Sequence, residues 1–355
     1  MIILMLTDEV QFSADMKKPY IIAEVGQNHN GSLEVALDYV KTFAQAGASA
    51  IKFQTRDNKY LFSDEAYNKE YNSENAFGRT YGEHREHLEL SVDELVILRN
   101  ACWENGVHFM STPFDEPSLE LLCEIDVDLI KVASFDIGNL PFLHRIAKTG
   151  KPIVVSVGGG RFEHIANSID EICKVHTNLA VLHCVSEYPC PVDRLSLGAI
   201  EKLRHFFPGV AIGSSDHFNG ILSGPIALML GARVFEKHVT LNRAQKGTDH
   251  SFALEPDGFK KFVRDINRVE PMITINEKED LGNEPVFKKL GKSIVAKTDI
   301  LSGEALDYEN LSGKIFPETF IPVRESSKLL GQLVNRHVRA GEPILFDDLV
   351  PRNIK

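Results

Sequence analysis

Cysteine is sparse and unpaired in this chain. Its five cysteines (Cys102, Cys123, Cys173, Cys184, Cys190) lie scattered over 355 residues without a C-x-x-C pair. An odd number at irregular spacing argues against a disulfide framework and predicts free thiols in a reducing compartment. No stretch approaches the roughly 20 apolar residues of a membrane span. The opening MIILML is too short for a signal-peptide core and runs straight into Asp8 and Glu9, so a cytoplasmic protein is expected. Basic charge is also short: 39 Lys and Arg against 50 Asp and Glu leave a net charge of −11. A nucleic acid or an anionic membrane requires a basic face, so neither partner is expected. The triple glycine at 158–160 has no G-x-G-x-x-G frame and reads as a turn.

The chain does hold short apolar runs that end in charged or polar residues. YIIAE, AIKFQ, VHFMST, LIKVAS, PIVVS, LAVLHC, AIGSSDH and VFEKH close on or near Glu24, Lys52, Gln54, Thr112, Lys131, Ser134, Ser156, Cys184, His217, Lys237 and His238. Buried Lys, Glu and His need partners and seldom end strand after strand in a plain core. Polar groups gathered at the downstream ends of parallel strands are what a β/α barrel does with its catalytic face.

Helical patterns separate these runs. Leu33, Val35, Ala36, Leu37, Val40, Phe43 and Ala44 share one face before Gly47. Ser91 and Glu94 form a capping box ahead of VDELVILRNACWENG, and Asp115 caps EPSLELLCEI with Pro117 in the first turn. Further helices are predicted near 161–173, 196–207, 220–230 and 256–269. Strand and helix in alternation imply parallel strands with right-handed crossovers. Eight repeats with chemistry on most strand ends favour a closed (β/α)8 TIM barrel over an open sheet. The domain plan is an extension at 1–17, the barrel at 18–283, a linker at 284–290 and a β-rich domain at 291–355. Residues 55–90 interrupt the rhythm with a long polar, aromatic-bearing insert; such loops are lids or disordered, and this one is expected to wall the site.

His217 and His238 end neighbouring strands, where two imidazoles can bind a divalent metal or simply line a polar pocket. Lys52 and Lys131, with Ser134, Ser156 and Ser215, suit a phosphate or a carboxylate. Glu24 is a candidate acid, base or hydroxyl ligand, or else a partner for Lys52. Asp216 and Asp249 hold hydroxyls or orient the adjacent histidines. Cys184 beside His183 is assigned to packing, because neighbouring strand residues face opposite sides.

In order, IIAEVGQNHNG, AIKFQ, STPFD, KVASFDIGNLPFL, LHCVSEYP, GSSDH and FEKHVTLNRAQKGTDHSFALEP closely resemble the motifs of the sialic acid synthase family. The tail from about 291 resembles the SAF (β-clip, antifreeze-like) domain that ends those enzymes, and FGRTYGEHREHLELS resembles the N-acylneuraminate synthases, including those that use sugar phosphates. The resemblance implies condensation of phosphoenolpyruvate with an N-acetylmannosamine-type aldose, or its 6-phosphate, with release of phosphate. It implies that Lys52, Gln54, Thr112, Lys131, Ser134, Ser156, Ser186 and Ser215 hold phosphoenolpyruvate. It further implies that His217 and His238 bind Mn²⁺, Mg²⁺ or Co²⁺, and that Glu24, Tyr188 and Asp249 contact the sugar. Glu24, Lys52, Lys131, Asp136, His217 and His238 are the expected catalytic set.

Some positions depart from the pattern. Asp136 stands where many members have Glu, Val185 for Thr, Ser214 for Tyr, and SVGGG for SxGM. KIFPETFIP lacks the arginine of an Arg-Pro-Gly-x-Gly stretch, with Ile315 near its place. A domain-swapped homodimer is expected, the SAF domain of one chain completing the site of the other. The alternatives are a legionaminic- or pseudaminic-type synthase using a 2,4-diacetamido hexose, a keto-acid aldolase on the same barrel, and a non-catalytic sugar-binding protein.

Overall fold

A computed structural model describes residues 10–274 and 284–350. Eight strands, β1 (Tyr20–Gly26), β2 (Ala50–Thr55), β3 (His108–Pro113), β4 (Leu129–Val132), β5 (Ile153–Ser156), β6 (Leu179–Cys184), β7 (Ala211–Asp216) and β8 (Val234–His238), pair in parallel and in sequence order, and β8 closes on β1. The predicted TIM barrel is therefore present. Helices pack outside it: α1 (Leu33–Gln45), α2 (Asn58–Leu61), α3 (Asp64–Tyr67), α4 (Tyr81–Leu88), α5 (Val92–Glu104), α6 (Glu116–Glu124), α7 (Leu140–Lys148), α8 (Phe162–Cys173), α9 (Ala199–Phe206), α10 (Ser223–Met229) and α11 (Pro256–Ile273). Ser91 and Glu94 make the reciprocal capping box, and Asp115 accepts from Ser118 N, as their spacing predicts. The sequence reading missed α7, which opens on the Asn139-Leu140-Pro141 turn.

Strand alternation splits the strand side chains between two layers. Outward residues such as Ala23, Ile51, Phe53, Phe109, Ile130, Val155, Val181 and Phe235 join the main core against the helices. Inward residues at the strand beginnings (Ile22, Ala50, Met110, Leu129, Val154, Ala180, Ala211, Val234) fill the lower barrel. Val10 and Phe12 plug that end, with Asn178 bonded to Phe12 N (2.8 Å) and Val10 O (2.7 Å). The described part of the expected 1–17 extension thus belongs to the barrel. The 55–90 insert carries α2, α3 and α4, with Thr80 and Glu83 forming a second capping box on α4.

The chain divides after Thr274, and the expected boundary near 283 lies outside the described residues. The expected linker at 284–290 holds the helix α12 (Pro285–Leu290). In the second unit β9 (Lys292–Ala296) and β10 (Leu311–Ile315) pair antiparallel. Single bridges such as Ile300–Val338 surround a small core of Ile294, Ile300, Leu306, Ile321, Leu329, Val334, Val338 and Ile344. Among the described residues no helix is long and apolar enough to cross a membrane.

Candidate active site

Two residues further along most strands, the inward position turns from apolar to polar. Ile22 gives way to Glu24, Ala50 to Lys52 and then Gln54, Met110 to Thr112, and Leu129 to Lys131. Val154 is followed by Ser156, Leu182 by Cys184, and Val234 by Glu236 and then His238. Together with Ser134, Ser215, His217, Tyr188 and Asp249 these line one cavity of about 470 Å³ at the downstream ends of the strands.

Its floor is a buried charge cluster. Lys52 Nζ lies 2.8 Å from Glu24 Oε2 and 3.7 Å from Glu236 Oε2, and donates to Thr112 Oγ1 at 3.2 Å. Lys131 Nζ lies 3.9 Å from Glu236 Oε2 and donates to Val132 O at 3.0 Å. Burial pushes Glu236 up, but Lys131 and Lys52 outweigh it and hold this carboxyl down at about 2. Glu24 goes the other way: burial raises it to about 7, against the pull of Lys52. Burial also lowers Lys131, only partly offset by Glu236. The floor therefore contains one firmly ionised carboxylate, one carboxyl able to hold a proton near neutrality, one lysine whose charge its carboxylate partners support (Lys52), and one, Lys131, whose charge burial disfavours.

His217 and His238 sit with ring centroids 5.3 Å apart. His217 Nδ1 bonds the carbonyl of Val185 at 2.7 Å, which makes Nδ1 the donor and leaves Nε2 its lone pair. His238 Nδ1 is buried with no hydrogen-bond partner, 3.9 Å from Asp249 Oδ2. Burial lowers His238, which favours the neutral, ligating imidazole. Among the described residues no cluster of three or more His, Cys, Asp or Glu is arranged for a metal; two imidazoles with open positions are what this wall offers. Tyr188 packs on His217 at 3.9 Å between centroids. Ser156 Oγ is buried without a partner, facing the same space.

Several expected positions lie elsewhere. Lys237 points outward, buried against Asp216 Oδ2 at 2.6 Å, and Ser223 binds that same carboxylate. Both residues thus join the barrel to its helices and do not line the cavity. Asp136 is off the wall, accepting from Asn139 Nδ2 at 3.0 Å, and Ser186 is exposed and also outside the lining. Cys184, read as packing, faces the cavity with Sγ 4.0 Å from His217 Nδ1. Gly158 follows from close approach: a Cβ there would sit 2.5 Å from Ser186 Oγ and 3.0 Å from Ser134 Oγ. Ile315 is half exposed on β10 of the second unit.

The sequence reading missed Glu236, Gln27, Arg56 and Arg85, all of which line the cavity. Arg56 donates to Gln54 Oε1 at 2.6 Å, pairs with Glu89 at 3.3 Å and lies 3.8 Å over the Phe114 ring. Arg56 follows Gln54 at the two-residue spacing of the strand, and that spacing is the signal that points to it.

A closed parallel barrel with a buried lysine–carboxylate floor beside two histidines defines a β/α-barrel enzyme site, here followed by a separate β-rich unit. Residues 39–278 match the NeuB family and residues 291–350 match the SAF domain. The chain belongs to the NeuB family, the sialic acid synthase family, and carries its C-terminal SAF domain. It is 36% identical over 316 residues to the N-acetylneuraminate-9-phosphate synthase of Mus musculus, spanning 89% of this chain and 88% of that one. It is 32% identical over 337 residues to the N,N'-diacetyllegionaminic acid synthase of Legionella pneumophila, across 93% of this chain and 94% of its relative. Among solved structures, the N-acetylneuraminic acid synthetase of Leptospira borgpetersenii, crystallised with citrate, superposes with a TM-score of 0.67 at 30% identity. That match covers 77% of this chain and 92% of the other.

Proposed function

We propose that the cavity condenses phosphoenolpyruvate with a 2-acetamido aldose of the N-acetylmannosamine type, giving a nine-carbon 2-keto sugar acid and inorganic phosphate. The observation that carries this reading is the floor: Lys52 and Lys131 sharing Glu236, ringed by Thr112, Ser134, Ser156 and Ser215. That arrangement supports binding of a small, highly charged anion, with cations and hydroxyls facing it in a buried setting where such bonds are strong. Relatives named N-acetylneuraminate-9-phosphate synthase and N,N'-diacetyllegionaminic acid synthase align with 89% and 93% of this chain. Both names describe products of this shape.

In the proposed reaction carbon 3 of phosphoenolpyruvate bonds to the aldehyde carbon, whose oxygen takes a proton and becomes a hydroxyl. Water adds at carbon 2 and gives up a proton. The carbon 2–oxygen bond to phosphate then breaks, leaving the ketone. Lys52 and Lys131 hold the phosphoenolpyruvate anion. Ser134, Ser156 and Ser215 orient it, and Glu24, its carboxyl raised to about 7, holds or releases a proton beside it. Tyr188 and Asp249 bound the space left for the sugar.

The donor set fits a divalent metal: a buried, unpartnered His238 Nδ1 and a His217 ring whose Nδ1 is fixed by Val185 O. His217 and His238 would hold it, and when bound such an ion supplies Lewis-acid polarisation of an aldehyde oxygen. The test is a panel of N-acetylmannosamine, its 6-phosphate and a 2,4-diacetamido hexose with phosphoenolpyruvate, scored by phosphate release and product mass. An aldolase would instead form a borohydride-trappable adduct, and Lys131 is the lysine whose lowered pKa would serve it. A trapped pyruvate adduct, or no phosphate with any sugar, overturns the synthase reading.

A further inference from the structure

From the floor to the rim of the cavity runs one ladder of polar contacts. Lys52 meets Glu24, and Gln54 Nε2 donates to Glu24 Oε1 at 2.8 Å. Arg56 donates to Gln54 and pairs with Glu89, and Gln27 Nε2 donates to Glu89 Oε1 at 3.1 Å. Arg85 ends the ladder, donating through Nη1 to Gln27 Oε1. Two guanidinium groups therefore line the same cavity, one shared with a carboxylate and one not: among the described residues Arg85 makes no ion pair. Its Nε and Nη2 both donate to Tyr81 OH, at 3.1 and 2.6 Å.

This leaves Arg85 in an unusual condition for a rim arginine. Three of its contacts fix the plane of the side chain, so it is not a freely solvated charge. A guanidinium has five N–H donors; three are used, and the two that remain belong one to Nη1 and one to Nη2. A guanidinium with donors left on both Nη atoms can match two oxygens of a phosphate. Burial draws Arg56 down to about 10, with Glu89 pulling the other way and the Arg85 charge adding to the fall. In the proposed reaction the aldehyde end of the open-chain hexose lies by the floor, beside the lysines proposed to hold phosphoenolpyruvate and the two histidines. Its far carbon then points up the ladder toward the arginines.

We propose that Arg85 is a specificity-determining residue that receives a phosphate monoester on the terminal carbon of the sugar, so that the aldose taken is a 6-phosphate. This rests on the synthase reading above and names its substrate class. Gln27 and Tyr81 are positioning residues that aim Arg85, and Arg56 stands behind it with its charge shared by Glu89.

The test pairs binding with turnover. N-acetylmannosamine 6-phosphate and the unphosphorylated sugar are titrated calorimetrically into the full-length protein, the Arg85→Gln variant and the Arg85→Lys variant, and kcat/KM is measured for each with phosphoenolpyruvate. Native protein is expected to bind the phosphorylated sugar at least tenfold more tightly. Arg85→Gln is expected to lower the ratio of the two kcat/KM values at least tenfold, through the KM of the sugar phosphate, with the KM for phosphoenolpyruvate unmoved. Arg85→Lys, which keeps the charge but not the fork, recovers part of the ratio. If Arg85→Gln does not fold, Arg85→Lys and Tyr81→Phe decide through the same ratio, and both are expected to lower it. An unchanged ratio in the folded variants, or equal loss for both sugars, overturns the proposal. Arg85-dependent binding of the sugar phosphate without condensation would sink the synthase reading and leave the phosphate site standing; condensation without preference for the phosphate would do the reverse.

Discussion

Replacing Glu236 by Gln separates the fold's needs from the ligand's. Its carboxylate is 4% exposed, contacts Lys52 at 3.7 Å and Lys131 at 3.9 Å, and accepts from Ser215 Oγ at 2.9 Å. At an effective dielectric of about 20, each lysine contact is worth about 4 kcal/mol before solvation. Desolvation offsets much of this, and removing one partner from a buried charge group costs about 3–5 kcal/mol net. The amide keeps the shape and the Ser215 bond, so the lower end applies, about 3 kcal/mol. For a unit of this size that corresponds to a melting temperature lower by roughly 6–12 °C. The same change removes an anion from a pocket proposed to take phosphoenolpyruvate. Glu236→Gln is therefore expected to bind that ligand about tenfold more tightly, about 1.4 kcal/mol, and to regain most of the lost melting temperature when saturated. Differential scanning calorimetry with and without phosphoenolpyruvate, beside a binding titration, reads both effects. A variant as stable as the parent, or one binding phosphoenolpyruvate less tightly, would refute the idea that Glu236 stands in for the substrate's charge.

Lys131→Ala is expected to raise the KM for phosphoenolpyruvate much more than that for the sugar, since a charged hydrogen bond is worth about 1.5–3 kcal/mol; equal changes in both would make Lys131 structural. Chelation is expected to abolish turnover and added Mn²⁺ to restore it, while the circular dichroism of the barrel stays put, because its cores are apolar; full activity after verified metal loss would contradict the two-histidine site. His29 is buried, and burial lowers it from 6.5 to about 4. The unfolded chain therefore binds that proton first, and stability is lost as pH falls from about 6.5 to about 4, by up to about 3 kcal/mol. His29→Gln should show a smaller drop in melting temperature between pH 7 and pH 4.5, and an identical drop would remove His29 from the acid response.

Much of the site could be read from the sequence because a barrel converts strand order into a ring. AIKFQ put Lys52 and Gln54 on one face through the two-residue period, and the structure places both on the cavity wall. The same period does not decide VFEKH. Val234 and Phe235 are both apolar and both buried, so the run gives no clue to its phase; Glu236 and His238 turned out to face inward and Lys237 outward. Asp216 followed Lys237 to the outer layer for the same reason. Cys184 is read as packing because its neighbour His183 faces the other side, yet its contact is His217, just past the end of the next strand and 33 positions away. Arg85 was out of reach for another reason, whereas Arg56 follows Gln54 at the strand's own two-residue spacing. They are 29 positions apart, and only the folding of the insert into α2, α3 and α4 brings both to one cavity. Periodicity shows where a strand points, but not where a long connection returns.

The central claim is that carbon–oxygen cleavage of phosphoenolpyruvate accompanies carbon–carbon bond formation in this cavity. Phosphoenolpyruvate labelled with ¹⁸O in the oxygen bridging carbon 2 and phosphorus tests it directly, incubated with the full-length protein, Mn²⁺ and N-acetylmannosamine 6-phosphate. The account predicts that the label leaves in inorganic phosphate while a nine-carbon keto acid phosphate accumulates in equal amount. Label retained in the keto acid, or phosphate released without a condensed product, would contradict it.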